Sequence, residues 1–202
     1  MAKQKNIKRE KIMKAAARLF SEKGYDNVST REITNAVGMN PAALYYYFPS
    51  KEILLKNLYE YYIEIHCQKR PDLDELLKLV EDNPPHYVLM KAEFHYEDAE
   101  VRDLMDQIIV IASRGINNDI ESERFIREVI FGEIDNTLRP LLRRMIELNK
   151  IAPFDIDTFL RVLSHYCFSA AALNKSVFKQ NIKEYQSCMA FLFSMIKPVI
   201  AT

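Results

Sequence analysis

Residues 29–51, STREITNAVGMNPAALYYYFPSK, read as a helix, a tight turn and a second helix. Ser29 and Glu32 make a Ser-x-x-Glu capping box, in which each side chain satisfies the other residue's orphan N–H, so a helix is predicted to open at Thr30. Ile33 and Val37 share one face. Gly38 follows as the stop, because glycine enters the left-handed region without a Cβ clash. Met39 fills the turn, Asn40 can cap the next helix, and Pro41 suits its first position, where a missing N–H costs nothing. Leu44 and Phe48 repeat at i and i+4 and point to a core. That spacing leaves Pro41, Ala42, Tyr45 and Tyr46 outward and Tyr47 near the edge. Outward tyrosines suit a DNA surface: the hydroxyl can meet a phosphate oxygen, and the ring can lie against sugar or a thymine methyl. Lys51 adds a positive charge just beyond.

A helical hairpin of this kind also occurs in proteins that never touch DNA. Charge separates the two cases. Residues 1–56 hold 11 Lys or Arg against 5 Asp or Glu, net +6, while residues 57–202 hold 17 against 23, net −6. A basic first quarter joined to an acidic remainder is expected of a nucleic-acid module attached to a sensing or assembly module.

Residues 8–56 resemble the TetR family of transcriptional regulators. The resemblance rests on an amphipathic first helix, KREKIMKAAARLFSEKGYDNVS, with Ile12, Ala15, Ala16, Leu19 and Phe20 on one side and an end at Gly24-Tyr25. Arg31-Glu32-Ile33, Gly38, Leu44-Tyr45-Tyr46-Tyr47-Phe48 and Ser50-Lys51-Glu52 then follow at the family's spacings. About a quarter of the chain carries the pattern. The resemblance implies contacts to the DNA backbone or an edge base from Ser29, Thr30 and Arg31. It implies phosphate or base contacts from Pro41, Ala42, Ala43, Tyr45, Tyr46 and Tyr47, and a phosphate contact from Lys51. Pro41 and Ala42 depart from the family, which often has lysine or glutamine and then glycine at these places. Neither side chain is a donor, so thymine-methyl contact, phosphate positioning and DNA deformability are expected to carry much of the specificity.

At 202 residues and 49% hydrophobic, the chain can bury a substantial core. Four glycines and an i, i+3, i+4 apolar spacing predict an all-α fold. The expected architecture is an N-terminal three-helix DNA-binding module containing the helix-turn-helix, residues 1–50, joined to a larger helical ligand-binding and dimerisation domain, residues 51–202. Apolar runs such as Ile108–Ala112 fall far short of the roughly 20 residues needed to cross a bilayer. The N-terminus, MAKQKNIKREK, has no secretory apolar core and reads as a basic arm. Cys67, Cys167 and Cys188, odd in number and within helical patterns, predict reduced, mostly buried thiols in a cytoplasmic protein.

Lys51 to about Gln68 is predicted to be a long helix shared between the modules. Pro71 and Pro84-Pro85 bracket a short helix, and residues 84–98 read as less regular. Helices over 100–118 and 122–149 follow, the second with Pro140 expected to kink or break it. Asp155 or Asp157 caps the next helix, to about Lys175, and a last one spans about 181–199. Small residues at 169–172 in the first of these, and apolar residues almost all round in the second, imply a partner. By resemblance the two pair with their copies in a four-helix homodimer interface through Ala170, Leu173, Met189, Leu192, Phe193 and Ile196.

No Gly-rich phosphate loop, Cys-x-x-Cys pair or His-Glu-x-x-His helix is present, and neither His66-Cys67 nor His165 and Cys167 converge, so an enzyme is disfavoured and no cofactor or metal is implied. The function expected is a DNA-binding regulator, a repressor that leaves a palindromic operator when a small apolar or aromatic molecule binds. Tyr62, Phe94, Met105, Ile109, Phe131, Tyr166 and Phe168 are candidate ligand contacts, with plain core packing as the competing role of each. The alternatives are a DNA-binding regulator controlled by a protein partner, and an enzyme with a helical N-terminal module. A C-terminal cavity of several hundred Å³ separates the first reading from the second.

Overall fold

The computed structural model describes residues 2–69, 71–92, 98–173, 187, 190–197 and 199, with side chains from residue 6 and, in the helix ending at Leu173, up to residue 169. Among these the regular structure is helical, and no strand forms. The helices are α1 (Ala2–Lys23), α2 (Thr30–Ala36), α3 (Pro41–Tyr47), α4 (Lys51–Lys69), α5 (Leu73–Asp82), α6 (Pro85–Ala92), α7 (Ala99–Gly115), α8 (Ile120–Arg124), α9 (Gly132–Glu147) and α10 (Ile156–Leu173). A π-helical stretch, Phe125–Phe131, joins α8 to α9.

The chain forms two compact units. One combines Met1–Gln68 with Tyr96–Ile126, the other Lys69–His95 with Arg127–Thr202. In the first, α1 packs against α2 and α7, and α2 against α3. Ile12, Met13, Ala16 and Phe20 of α1, Ile33 of α2, Leu44 of α3 with Phe48 just after it, Leu54 and Leu58 of α4, and Met105 and Ile108 of α7 are all buried. The buried side of α1 is broader than its i, i+4 spacing suggested, since Met13 and Ala17 join it while Ala15 is only half-buried.

In the second unit α5, α6 and α10 pack on α9. Its core gathers Leu76, Val80, Val88, Leu141, Leu142, Met145, Phe159 and Leu163, with Leu192 and Ile196 from the C-terminal segment. Asp72 caps α5, accepting from Glu75 N at 3.0 Å, and Asp155 accepts from Thr158 N at 3.0 Å at the start of α10.

Three sequence expectations are corrected. Residues 85–92 form a helix rather than irregular chain, because Pro85 occupies the first turn, where its missing N–H is no loss. Of the two outcomes expected at Pro140, a kink or a break, the break does not occur: Pro140 lies inside α9, and the interruption over 120–147 is the π-helical stretch upstream. Cys67 is exposed, on the outer side of α4, and Cys167 only half-buried; Cys188 lies outside the described residues.

Candidate nucleic-acid interface

The turn at residues 29–51 is held by local bonds at each junction. At the start of α2, Glu32 N donates to Ser29 Oγ at 3.2 Å and Ser29 N donates to Glu32 Oε2 at 2.8 Å, completing the capping box. The Ser29 hydroxyl donates to the same carboxylate at 3.0 Å, and Lys23 Nζ reaches Glu32 Oε1 at 2.8 Å. The lysine first, then the Ser29 N–H and hydroxyl, hold the Glu32 carboxyl down at about 2. Ser29 is thus committed to the cap, and Thr30 and Arg31 lie in the first turn beside it.

The end of α2 is a Schellman motif. Gly38, at φ +66°, donates to Asn35 O at 3.2 Å, and Met39 N donates to Thr34 O at 2.9 Å. A non-glycine residue at that φ costs on the order of 1–2 kcal/mol. Asn40 then opens α3, its Oδ1 accepting from Ala42 N at 2.9 Å, with Pro41 in the first turn.

The short α3 is pinned from below by Leu44 and Phe48, 2% and 1% exposed, and presents Tyr45 and Tyr46 at 52% and 68% exposure. Pro41 and Ala42 are exposed as well, and Ala43 and Tyr47 are half-buried. The Tyr47 ring meets that of Tyr46 edge-on at 5.1 Å, which limits where Tyr46 can point. The two adjacent rings thus stand on the solvent side of a helix capped at its start by Asn40.

Lys51 has a second task. Its Nζ donates to Tyr25 O at 2.8 Å and Val28 O at 3.0 Å, and stands 4.1 Å from the centre of the Tyr25 ring. The start of α4 is thereby tied to the loop between α1 and α2. Two of the ammonium's three N–H groups are used by these carbonyls. Sequence spacing gave no signal for these bonds, since the partners lie 23 and 26 positions away. Arg9 likewise closes on α4, bonding Asn57 and lying 5.3 Å from the Phe48 ring centre.

The proposed ligand contacts are distributed over both units. Tyr62, Met105 and Ile109 are buried in the first, where Tyr62 packs edge-on against Phe125 at 5.0 Å. Phe131, Tyr166 and Phe168 are half-buried in the second; Phe94 lies outside the described residues. Phe131 stacks on His165 at 5.2 Å and lines an open groove of about 490 Å³ whose other walls include Asp135, Arg139, Asp157, Arg161 and Ser164. That groove is charged rather than apolar. Arg139 binds Asp135 through both carboxylate oxygens and reaches Asp157 at 2.5 Å.

Of the proposed dimer contacts, Leu192 and Ile196 are buried in the second unit's own core and Phe193 packs against it. Ala170, Leu173 and Met189 lie outside the described side chains. Among the described residues of the C-terminal segment, Phe191, Met195 and Val199 are exposed, Phe191 and Met195 at 66% and 55%. Among the described residues no group of three His, Cys, Asp or Glu is arranged to hold a metal ion, and no helix is long and apolar enough to cross a membrane.

Residues 12–58 match the family model described as bacterial regulatory proteins, tetR family. The HTH-type transcriptional regulator YerO of Bacillus subtilis is 34% identical over 111 residues, covering 55% of this chain and 37% of YerO. The icaADBC operon negative regulator IcaR of Staphylococcus epidermidis is 34% identical over 68 residues, 32% of this chain and 37% of IcaR. The chain therefore spans little more than a third of these curated relatives. Among solved structures, a linker-substituted HlyIIR mutant aligns over 99% of this chain and 100% of its own at a TM-score of 0.64 and 22% identity. Reduced NemR of E. coli aligns over 96% and 98% at a TM-score of 0.62 and 15% identity. At those identities the likeness is one of fold.

Proposed function

We propose that this chain, which belongs to the TetR family of transcriptional regulators, binds a palindromic operator as a homodimer and represses transcription in the cytoplasm until a small molecule releases it. Regulators of this family are DNA-binding transcription factors, not enzymes. The observation that carries the reading is the exposure of Tyr45 and Tyr46 on a helix fixed by caps at each junction. Residues 1–50 are the DNA-reading part in this proposal and residues 51–202 serve control and assembly. Thr30, Arg31, Pro41, Ala42, Tyr45, Tyr46 and one N–H of Lys51 are the groups offered to DNA. IcaR's description as a negative regulator supports repression.

A shift assay on palindromic duplexes across salt concentrations tests the DNA reading. Neutralised phosphates release counterions, so affinity falls steeply with salt; a flat dependence refutes it. Control by a ligand is tested by titrating a candidate into free and operator-bound dimer. An inducer binds the second more weakly by the same factor by which it loosens the operator, about 5- to 150-fold. Regulation by a protein partner is the second reading, favoured by the burial of Tyr62, Met105 and Ile109 among core residues, as plain packing requires.

A further inference from the structure

Tyr59 of α4 is 4% exposed, yet it carries a hydroxyl. That hydroxyl lies 2.7 Å from Ser122 Oγ, and Ser122 Oγ donates onward to Asp119 Oδ2 at 2.5 Å. With the Ser122 O–H directed at the carboxylate, the Tyr59 O–H is the donor to Ser122 Oγ. Asp119 also accepts from Glu121 N at 3.3 Å and Ser122 N at 3.0 Å, so the carboxylate at the end of the chain is itself fixed. A charged terminus strengthens such a relay. Burial pushes the Tyr59 phenol up, which keeps its proton in place. The ring stacks on Phe125 at 4.7 Å.

Gly115 faces Ser122. A Cβ there would fall 2.4 Å from Ser122 Oγ and 3.0 Å from its Cβ, so close approach, not backbone φ, demands glycine. The adjacent Arg114 donates from Nη1 to Ser21 O in the last turn of α1 at 2.6 Å. Residues 114–122, from the last turn of α7 into α8, thus hold the end of α1 and the middle of α4 by directional bonds. Apolar packing alone tolerates sliding; a buried hydrogen bond fixes register. The exposed bridge from Lys14 to Glu100, also between α1 and α7, is worth little by comparison.

We propose that Tyr59, Ser122 and Gly115, together with Arg114, are positioning residues for DNA reading: they set the pose of α1 and α4, and so of the helix-turn-helix between them in the chain, without touching DNA. The inference rests on the DNA-binding function proposed above. Its probe is a palindromic duplex selected by the wild-type protein from a randomised pool, against which Tyr59→Phe, Ser122→Ala and the double variant are measured. Each single variant is expected to keep wild-type helix content and lose about 5- to 30-fold in affinity, and the double variant to lose no more than one of them, since either change breaks the same relay. Hydrogen exchange gives a reading without DNA: amides of residues 55–62 in α4 exchange faster in both variants. Folded single variants within twofold of wild-type affinity overturn the proposal, as do additive losses, unchanged α4 exchange, or failure of both variants to fold, which would make the hydroxyls a requirement of the unit itself. A wild-type protein that selects no duplex counts against the DNA-binding function, and the exchange measurement then decides the relay alone.

Discussion

The ammonium of Lys51 and the ring of Tyr25 stand 4.1 Å apart, and the same ammonium donates to the Tyr25 carbonyl. One side chain therefore closes the loop 24–29 against the first turn of α4, and in the proposed function it also offers its remaining N–H to a phosphate. Lys51→Ala is expected to lose about 2 kcal/mol from two charge-assisted hydrogen bonds and a cation–π contact, seen as a lower thermal midpoint. It should also reduce the salt slope of operator binding by about one unit per half-site. A slope equal to wild type would confine Lys51 to the loop.

Tyr45→Phe keeps the ring and removes one hydroxyl. The expected loss of operator affinity is on the order of 1 kcal/mol per half-site, with Tyr45→Ala losing clearly more. Equal losses, read in the same shift assay, would place the ring away from DNA.

The capping box predicts an acid limb of stability. The Glu32 carboxyl titrates near 2 in the folded protein against its usual 4.5, so its contribution is present above pH 4.5 and fades as pH falls from there toward 2. Thermal midpoints of wild type and Glu32→Gln should differ most at neutral pH and converge across that window. A constant difference would mean that the carboxylate's charge is not what Ser29 and Lys23 hold.

Assembly separates two kinds of apolar substitution near the C-terminus. Leu192→Glu puts a charge into the second unit's core and should lower the thermal midpoint sharply. Phe191→Glu or Met195→Glu alters an exposed surface, so the proposed dimer should dissociate with helix content intact and operator affinity lost. Light scattering at micromolar concentration is the check; a wild-type monomer there would refute the dimer.

What could be read beforehand was local. Ser29 with Glu32, Gly38, Asn40-Pro41 and the Leu44/Phe48 pair each encode their geometry within four residues, and each takes the predicted form. Asp155, one of the two carboxylates offered as a cap, takes that role. The same rule misled at Pro84-Pro85, where a turn signal was equally a helix start. Long-range chemistry was not legible: nothing in the spacing joins Lys51 to Val28, Tyr59 to Ser122 or Arg114 to Ser21. Nor does residue type say that Leu192 turns inward while Phe191 stays exposed, for both are apolar.

The first unit is assembled from Met1–Gln68 and Tyr96–Ile126, with the intervening residues given to the other. During synthesis, α1 to α4 leave the ribosome before α7, against which α1 must pack. At about 5–20 residues per second, the wait is on the order of 3–12 s. Over that interval the apolar side of α1 lacks its cover, so the nascent chain is open to chaperones and to premature association. Slowed translation between residues 68 and 126 would lengthen the exposure, and silent codon changes there should alter the soluble yield without altering the finished protein.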